Sequence, residues 1–178
     1  MALQRLTIDG YGQIEPNNVT FTRDGRVEAQ CAAVAGSMLE NGMLLAVDVT
    51  AREVKFAVEN EVLPLALHYS TEKNYENSSL KNFALDAKNG ECPRMGYLTV
   101  GEVFTTNCVC FDTDEYKDEA TVKAAIDAAA TSPVYGTYST IGAIKVTATK
   151  PENGPVLKVA RPFTMPDGQY AVEFSVIA

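Results

Sequence analysis

The sequence predicts a mainly β domain, barrel-like or sandwich-like, with one short α-helix and an extended N-terminal arm. Three observations carry this. Half of the twelve glycines directly follow Asn or Asp, at Gly10, Gly25, Gly42, Gly90, Gly154 and Gly168, and such dipeptides suit turns that need positive φ. Between them lie short runs that alternate or are rich in Val, Ile, Thr, Phe and Tyr. A single stretch, 117–130, breaks the habit with a helical period.

Residues 1–26 mix isolated apolar side chains, Leu3, Leu6, Ile8 and Ile14, with Gly, Pro and Asn, and hold no sustained period. They read as an arm that packs either on its own domain or on a neighbour, and the residues leave both open. The β-rich domain then spans 27–178. Val27 to Leu39 is ambiguous, since its alanines permit helix while RVEAQCAAV alternates; strand is the preferred reading. Further strands are expected at Gly42–Val49, Val54–Val58, Leu63–Ser70, Met95–Val100, Thr105–Phe111 and Ile141–Thr149. In 117–130, KDEATVKAAIDAAA, residues Val122, Ala125, Ile126 and Ala129 form one stripe, with Asp118 and Glu119 where the helix dipole favours acids and Ser132-Pro133 beyond the far end. The clearest hairpin joins Val156–Phe163 to Tyr170–Ile177 around TMPDGQ, and Val172, Phe174 and Val176 alternate there with Ala171, Glu173 and Ser175. Many short strands and few helices point to a barrel or sandwich.

The 178 residues, 46% of them hydrophobic, supply material for one compact domain or a domain plus an arm. Fifteen Lys and Arg against 23 Asp and Glu give a net charge of -8, the wrong sign for a surface that neutralises phosphates, so nucleic acid is not an expected partner. No apolar run approaches the ~20 residues of a membrane span, and MALQRLTIDG lacks the layout of a secretory signal. The expectation is a soluble chain made in the cytoplasm, with no membrane partner.

Chemistry is sparse. Cys31, Cys92, Cys108 and Cys110 form neither the CxxC pairs of a zinc site nor a disulfide framework. In NCVCF, Cys108 and Cys110 are expected to face one way and Val109 and Phe111 the other, as small buried strand residues. His68 is the single histidine, so any His-dependent catalysis has to use it. There is no GxSxG motif and no phosphate loop, and Gly10-Tyr11-Gly12 lacks the third glycine of a dinucleotide site. Asp112, Asp114 and Glu115 begin like a calcium loop, but Tyr116 and Lys117 stand where a ligand and the turn glycine are required, so a solvated loop before the helix is the better account. Glu59 and Glu61 read as a turn or a polar strand face. Asn18-Val19-Thr20 and Asn77-Ser78-Ser79 are sequons that matter only in a secreted eukaryotic protein. The residues therefore predict no catalytic site, no cofactor and no metal. A glycan-binding β-domain stays open, since eight Tyr and seven Phe can stack although there is no Trp.

Two regions carry a resemblance. They are NGMLLAVDVTAREVKFA, Asn41 to Ala57, and the stretch from Leu67 to Asp112 that includes LHYSTEKNYENSSLKNFAL and GECPRMGYLTVGEVFTTNCVCFD. The Asn-Gly-Met-Leu opening, the Ser-Thr-Glu-x-x-Tyr stretch at Ser70 to Tyr75, Pro93-Arg94, Leu98, Gly101-Glu102 and Phe104-Thr105-Thr106-Asn107 resemble the small head proteins of tailed bacteriophages that decorate or cement the capsid. Glu102 stands where that pattern has Asp. The resemblance implies a non-enzymatic virion protein on the outer capsid surface that binds the major capsid protein, clusters as a trimer and stabilises the shell by bridging subunits. Leu3, Leu6, Ile8 and Ile14 would then anchor the arm on a neighbouring subunit by strand addition. A tail or head-fibre subunit is the structural alternative.

Overall fold

A computed structural model describes residues 2–21, 31–34, 37–58, 61–70 and 92–178 and, as backbone, 84–86. The N-terminal segment supplies β1 (Leu3–Arg5) and β2 (Ile14–Asn18). There follow β3 (Ala32–Ala33), β4 (Met38–Glu40), β5 (Leu44–Asp48), β6 (Glu53–Phe56), β7 (Leu65–His68), β8 (Ala84–Asp86) and β9 (Met95–Tyr97). Next come β10 (Val103–Thr106), β11 (Val109–Asp112), helix α1 (Glu119–Asp127), β12 (Tyr135–Thr137), β13 (Ile144–Thr147), β14 (Leu157–Thr164) and β15 (Tyr170–Val176). Among the described residues the protein is mainly β with one short helix. The boundary expected at residue 26 lies outside the described residues.

Eight strands form one sheet in the order β1-β11-β13-β12-β14-β15-β10-β2, five form a second, β3-β6-β5-β7-β9, and β4 pairs with β8. In the large sheet β11 and β10 lie five strand spacings apart, which in a flat sheet is about 24 Å. Yet only Asn107 and Cys108 link them, and three Cα steps reach at most about 11 Å. The sheet must therefore roll until β10 and β11 approach each other. The N-terminal segment then extends both edges, β1 antiparallel on β11 and β2 antiparallel on β10.

Two cores result. Phe104, Val109, Phe111, Ile144, Val146, Leu157, Val172 and Phe174 fill the roll, and α1 closes it with Val122 and Ile126. On the other side of β11, Cys108 and Cys110 pack with Leu45, Val47, Val54 and Ala66 of the five-stranded sheet. The strand alternation expected for NCVCF is thus the partition between the cores. The helix is shorter than its predicted span: Asp118 caps it by accepting from Thr121 N at 2.9 Å, and the chain leaves α-geometry at Ala128.

The predicted strand Thr105–Phe111 is a correction. It is two strands, because Asn107 turns aside to bond the N-terminal segment and Thr106 Oγ1 accepts from Cys108 N at 3.0 Å, interrupting the ladder. The hairpin β14–β15 forms in the predicted register region, from Leu157 opposite Val176 to Thr164 opposite Tyr170, with an irregularity between Val159 and Arg161. Gly10, Gly42, Gly154 and Gly168 all adopt positive φ; Gly25 and Gly90 lie outside the described residues.

Candidate functional site

The motif residues meet the N-terminal segment in a closed polar clasp. Glu40, at the end of β4, takes both guanidinium nitrogens of Arg5 at 2.7 Å and the backbone N–H of Gly12 at 2.7 Å. The Glu40 hydrogen bond raises the Arg5 pKa above its ordinary value against the opposing effect of burial. The Glu40 carbonyl also accepts from His68 Nδ1 at 2.7 Å. A carbonyl only accepts, so the ring proton sits on Nδ1, and Nε2 accepts the Ser70 hydroxyl at 2.7 Å. Ser70 Oγ in turn accepts from Arg94 N at 2.9 Å. Burial pushes the His68 pKa down to about 4, outweighing the Glu40 carbonyl and carboxylate, so the ring is neutral near pH 7.

His68 beside Ser70 matches the base-to-hydroxyl contact of a nucleophilic site. Its surroundings do different work. His68 is fully buried and Ser70 nearly so, Nδ1 is oriented by a backbone carbonyl, and Ser70 ties the end of β7 to the chain entering β9. The pair pins backbone segments together.

Around this hub, the Phe-Thr-Thr-Asn stretch grips the same segment. Thr105 Oγ1 donates to Asn17 Oδ1 at 3.0 Å, Thr106 Oγ1 donates to the Gln13 carbonyl at 2.6 Å, and Asn107 Oδ1 accepts from Gln13 N at 2.7 Å. Glu102 accepts from Thr20 N at 2.7 Å, from Thr20 Oγ1 at 2.6 Å and from Thr99 N at 2.9 Å. Burial opposes the charge of Glu102, but these hydrogen bonds together hold its carboxyl below the usual range. Gly42, at φ +85°, lies so close that a Cβ would strike Thr106 Oγ1. Residues 71–75 of the Ser-Thr-Glu-x-x-Tyr stretch lie outside the described residues.

Two of the arm anchors, Leu6 and Ile14, are turned toward their own domain. Leu6 is buried in the first core, Ile14 packs against that core, and Leu3 and Ile8 are half-buried. Of the two dispositions the sequence left open, residues 2–21 adopt packing on their own domain. The calcium-like acids are tied locally, Asp112 to Asp114 N and Glu115 to Thr147. Among the described residues, no group of three or more His, Cys, Asp or Glu is placed to hold a metal ion, and no helix is long and apolar enough to cross a membrane.

What sequence reasoning missed is an open apolar groove. Leu65, Leu98 and Val100 are shared by two adjoining hollows of about 310 and 350 Å³, which Leu63, Pro64, Pro155 and Val176 extend. Val100 is 70% exposed, and Val62, next to lining residues Glu61 and Leu63, is 92% exposed. Among the described lining residues Glu61 is the one charged side chain, and its carboxylate is engaged by the backbone N–H groups of Val58, Val62 and Leu63. No family model, curated protein or solved structure matches this chain.

Proposed function

We propose that this chain is a non-enzymatic structural protein of a tailed-bacteriophage head, which binds the assembled major capsid shell from outside and stabilises it by bridging subunits, in clusters of three copies. The resemblance carried by Asn41–Ala57 and Leu67–Asp112 supports this reading. So does the net charge of -8, which suits a surface facing away from packaged DNA and keeps free copies apart.

The observation that carries the reading is the groove around Leu65, Leu98 and Val100. Large apolar side chains gathered at an opening, with Val62 and Val100 left in water, mark a surface that gains by being covered. The Glu61 carboxylate is already occupied by backbone N–H groups and most of the other lining side chains are apolar, which favours an apolar ridge as the occupant. A capsid subunit offering such a ridge at a seam would be held against its neighbour by this protein. Contacts of roughly 1,000–2,000 Å² per copy, repeated around the shell, would raise shell stability through many modest gains.

The test is co-sedimentation of the purified chain with empty shells of the major capsid protein, followed by thermal disassembly of those shells. Saturable binding and a higher disassembly temperature are expected. Val62→Lys with Val100→Lys is expected to abolish binding while leaving the thermal unfolding of the free chain within about 0.5 kcal/mol of the parent, since both positions are exposed. Absence of binding by the parent chain, or undiminished binding by the double variant, contradicts the reading.

A further inference from the structure

Away from the groove, a second cavity of about 550 Å³ opens beside β12 and β13, within the ~300–1,000 Å³ range of small-molecule sites. Its wall includes Leu3, Thr137, Tyr138, Lys145 and Asn153, and no carboxylate side chain. Two of these residues lack the partners their chemistry calls for. Thr137 is 7% exposed, and its Oγ1 is buried without a hydrogen-bond partner. Lys145 forms no salt bridge among the described residues. They are direct cross-strand neighbours in the antiparallel β12–β13 register, so both side chains leave the same face with Cβ atoms about 5 Å apart. A hydroxyl and an ammonium at that spacing make a two-point grip for one carboxylate.

The rest of the wall fits a polyhydroxylated ring. Tyr138 presents an aromatic face whose position is set by Gly154: at φ +79° the glycine backbone lies against the ring, and a Cβ there would stand 2.8 Å from Tyr138 Cε1. Asn153 offers both a donor and an acceptor at the mouth. We propose that this cavity binds a monosaccharide unit bearing a carboxylate, such as a uronic or sialic acid, with the carboxylate on Lys145 Nζ and Thr137 Oγ1 and the ring against Tyr138. Such a unit exists as a free sugar acid and as the terminus of a surface glycan. Gly154 borders the apolar groove as well as the Tyr138 ring, so Lys145→Gln, which lies outside the groove lining, is the variant that separates sugar binding from shell binding.

The test is titration of the full chain, followed by calorimetry and by NMR of the tyrosine rings, with N-acetylneuraminate, glucuronate, glucose and sialyllactose. Saturable binding of at least one acidic sugar is expected, with glucose at least about ten-fold weaker, the difference made by one charge-assisted hydrogen bond. Binding of sialyllactose as tightly as the free acid identifies a glycan terminus as the ligand; exclusive binding of a free acid identifies a soluble sugar acid. Lys145→Gln and Thr137→Val, each with an unchanged melting temperature or a higher one, are expected to weaken the acidic sugar by about ten-fold or more. Gly154→Ala is expected to displace the Tyr138 ring and weaken acidic and neutral sugars alike. Absence of saturable binding by both acids, or a Lys145→Gln chain that binds them as tightly as the parent, overturns the proposal.

Discussion

The clasp at Glu40 and the groove at Leu98 are opposites in construction. The clasp is polar and closed, with Arg5, Gly12, His68 and Ser70 committed to one another or to backbone, while the buried Asn41 Oδ1 beside Glu40 has no hydrogen-bond partner. The groove is apolar and open and leaves Val100 in water, and Val62, adjacent in sequence to its lining, is more exposed still. The residues most conspicuous in the sequence, the single His and the Asn-Gly-Met-Leu and Phe-Thr-Thr-Asn motifs, hold the chain to itself. The groove is lined by unremarkable valines and leucines. Motif density therefore marks where this fold is difficult to close.

The largest effect should come from removing the segment that the clasp holds. Deleting residues 1–20 takes away both outer strands of the eight-stranded sheet and the buried Leu6, and it leaves Glu40, Glu102 and Asn107 without their partners. The expected product is an unfolded or aggregating chain, read by circular dichroism and light scattering. A folded, monomeric product would return the segment to the status of a detachable arm.

A smaller break is Glu40→Gln. The guanidinium of Arg5 would keep its half-buried position and lose its counter-charge, at an expected cost of about 3 kcal/mol in urea unfolding. Hydrogen exchange should locate the loss at Gly12 and the β1–β11 pairing, with the β14–β15 hairpin unaffected.

Acid should weaken the clasp through His68. Its folded pKa of about 4 lies below the ordinary 6.5, so the unfolded chain takes up the proton first as pH falls. The stabilising contribution is complete above pH 6.5, declines between 6.5 and 4 and levels off below 4, a total of about 3 kcal/mol for that gap. Comparing the urea midpoints of the parent and His68→Asn across this window isolates the histidine from the carboxylates, and the difference should shrink as pH drops.

Local pattern made much of the fold legible. The β14–β15 hairpin followed from alternation on either side of Asp167-Gly168, and α1 from the Val122-Ile126 stripe with an acid-rich start. The clasp was not legible because its contacts span distances that no local pattern encodes: Glu40 meets Arg5 across 35 positions and Gly12 across 28. The same limit hid the break at Asn107, which is made by Gln13, 94 positions away. Strand β12, Tyr135–Thr137, is three residues long and centred on Gly136, too short to show a period. Val100 was absorbed into the expected strand Met95–Val100, whereas β9 ends at Tyr97 and leaves Val100 on the turn that precedes Glu102. The apolar contact was sought at Leu3, Leu6, Ile8 and Ile14 because residues 1–26 read as an arm; of these, Leu6 is buried in the first core and Ile14 packs against it.

Hydrogen–deuterium exchange on the chain bound to capsid shells tests the central claim most directly, by comparing the groove with the N-terminal segment in one experiment. New protection at residues 61–65 and 98–101, with residues 3–14 unchanged from the free protein, is the expected result. New protection confined to residues 3–14, with the groove exchanging as before, would contradict it.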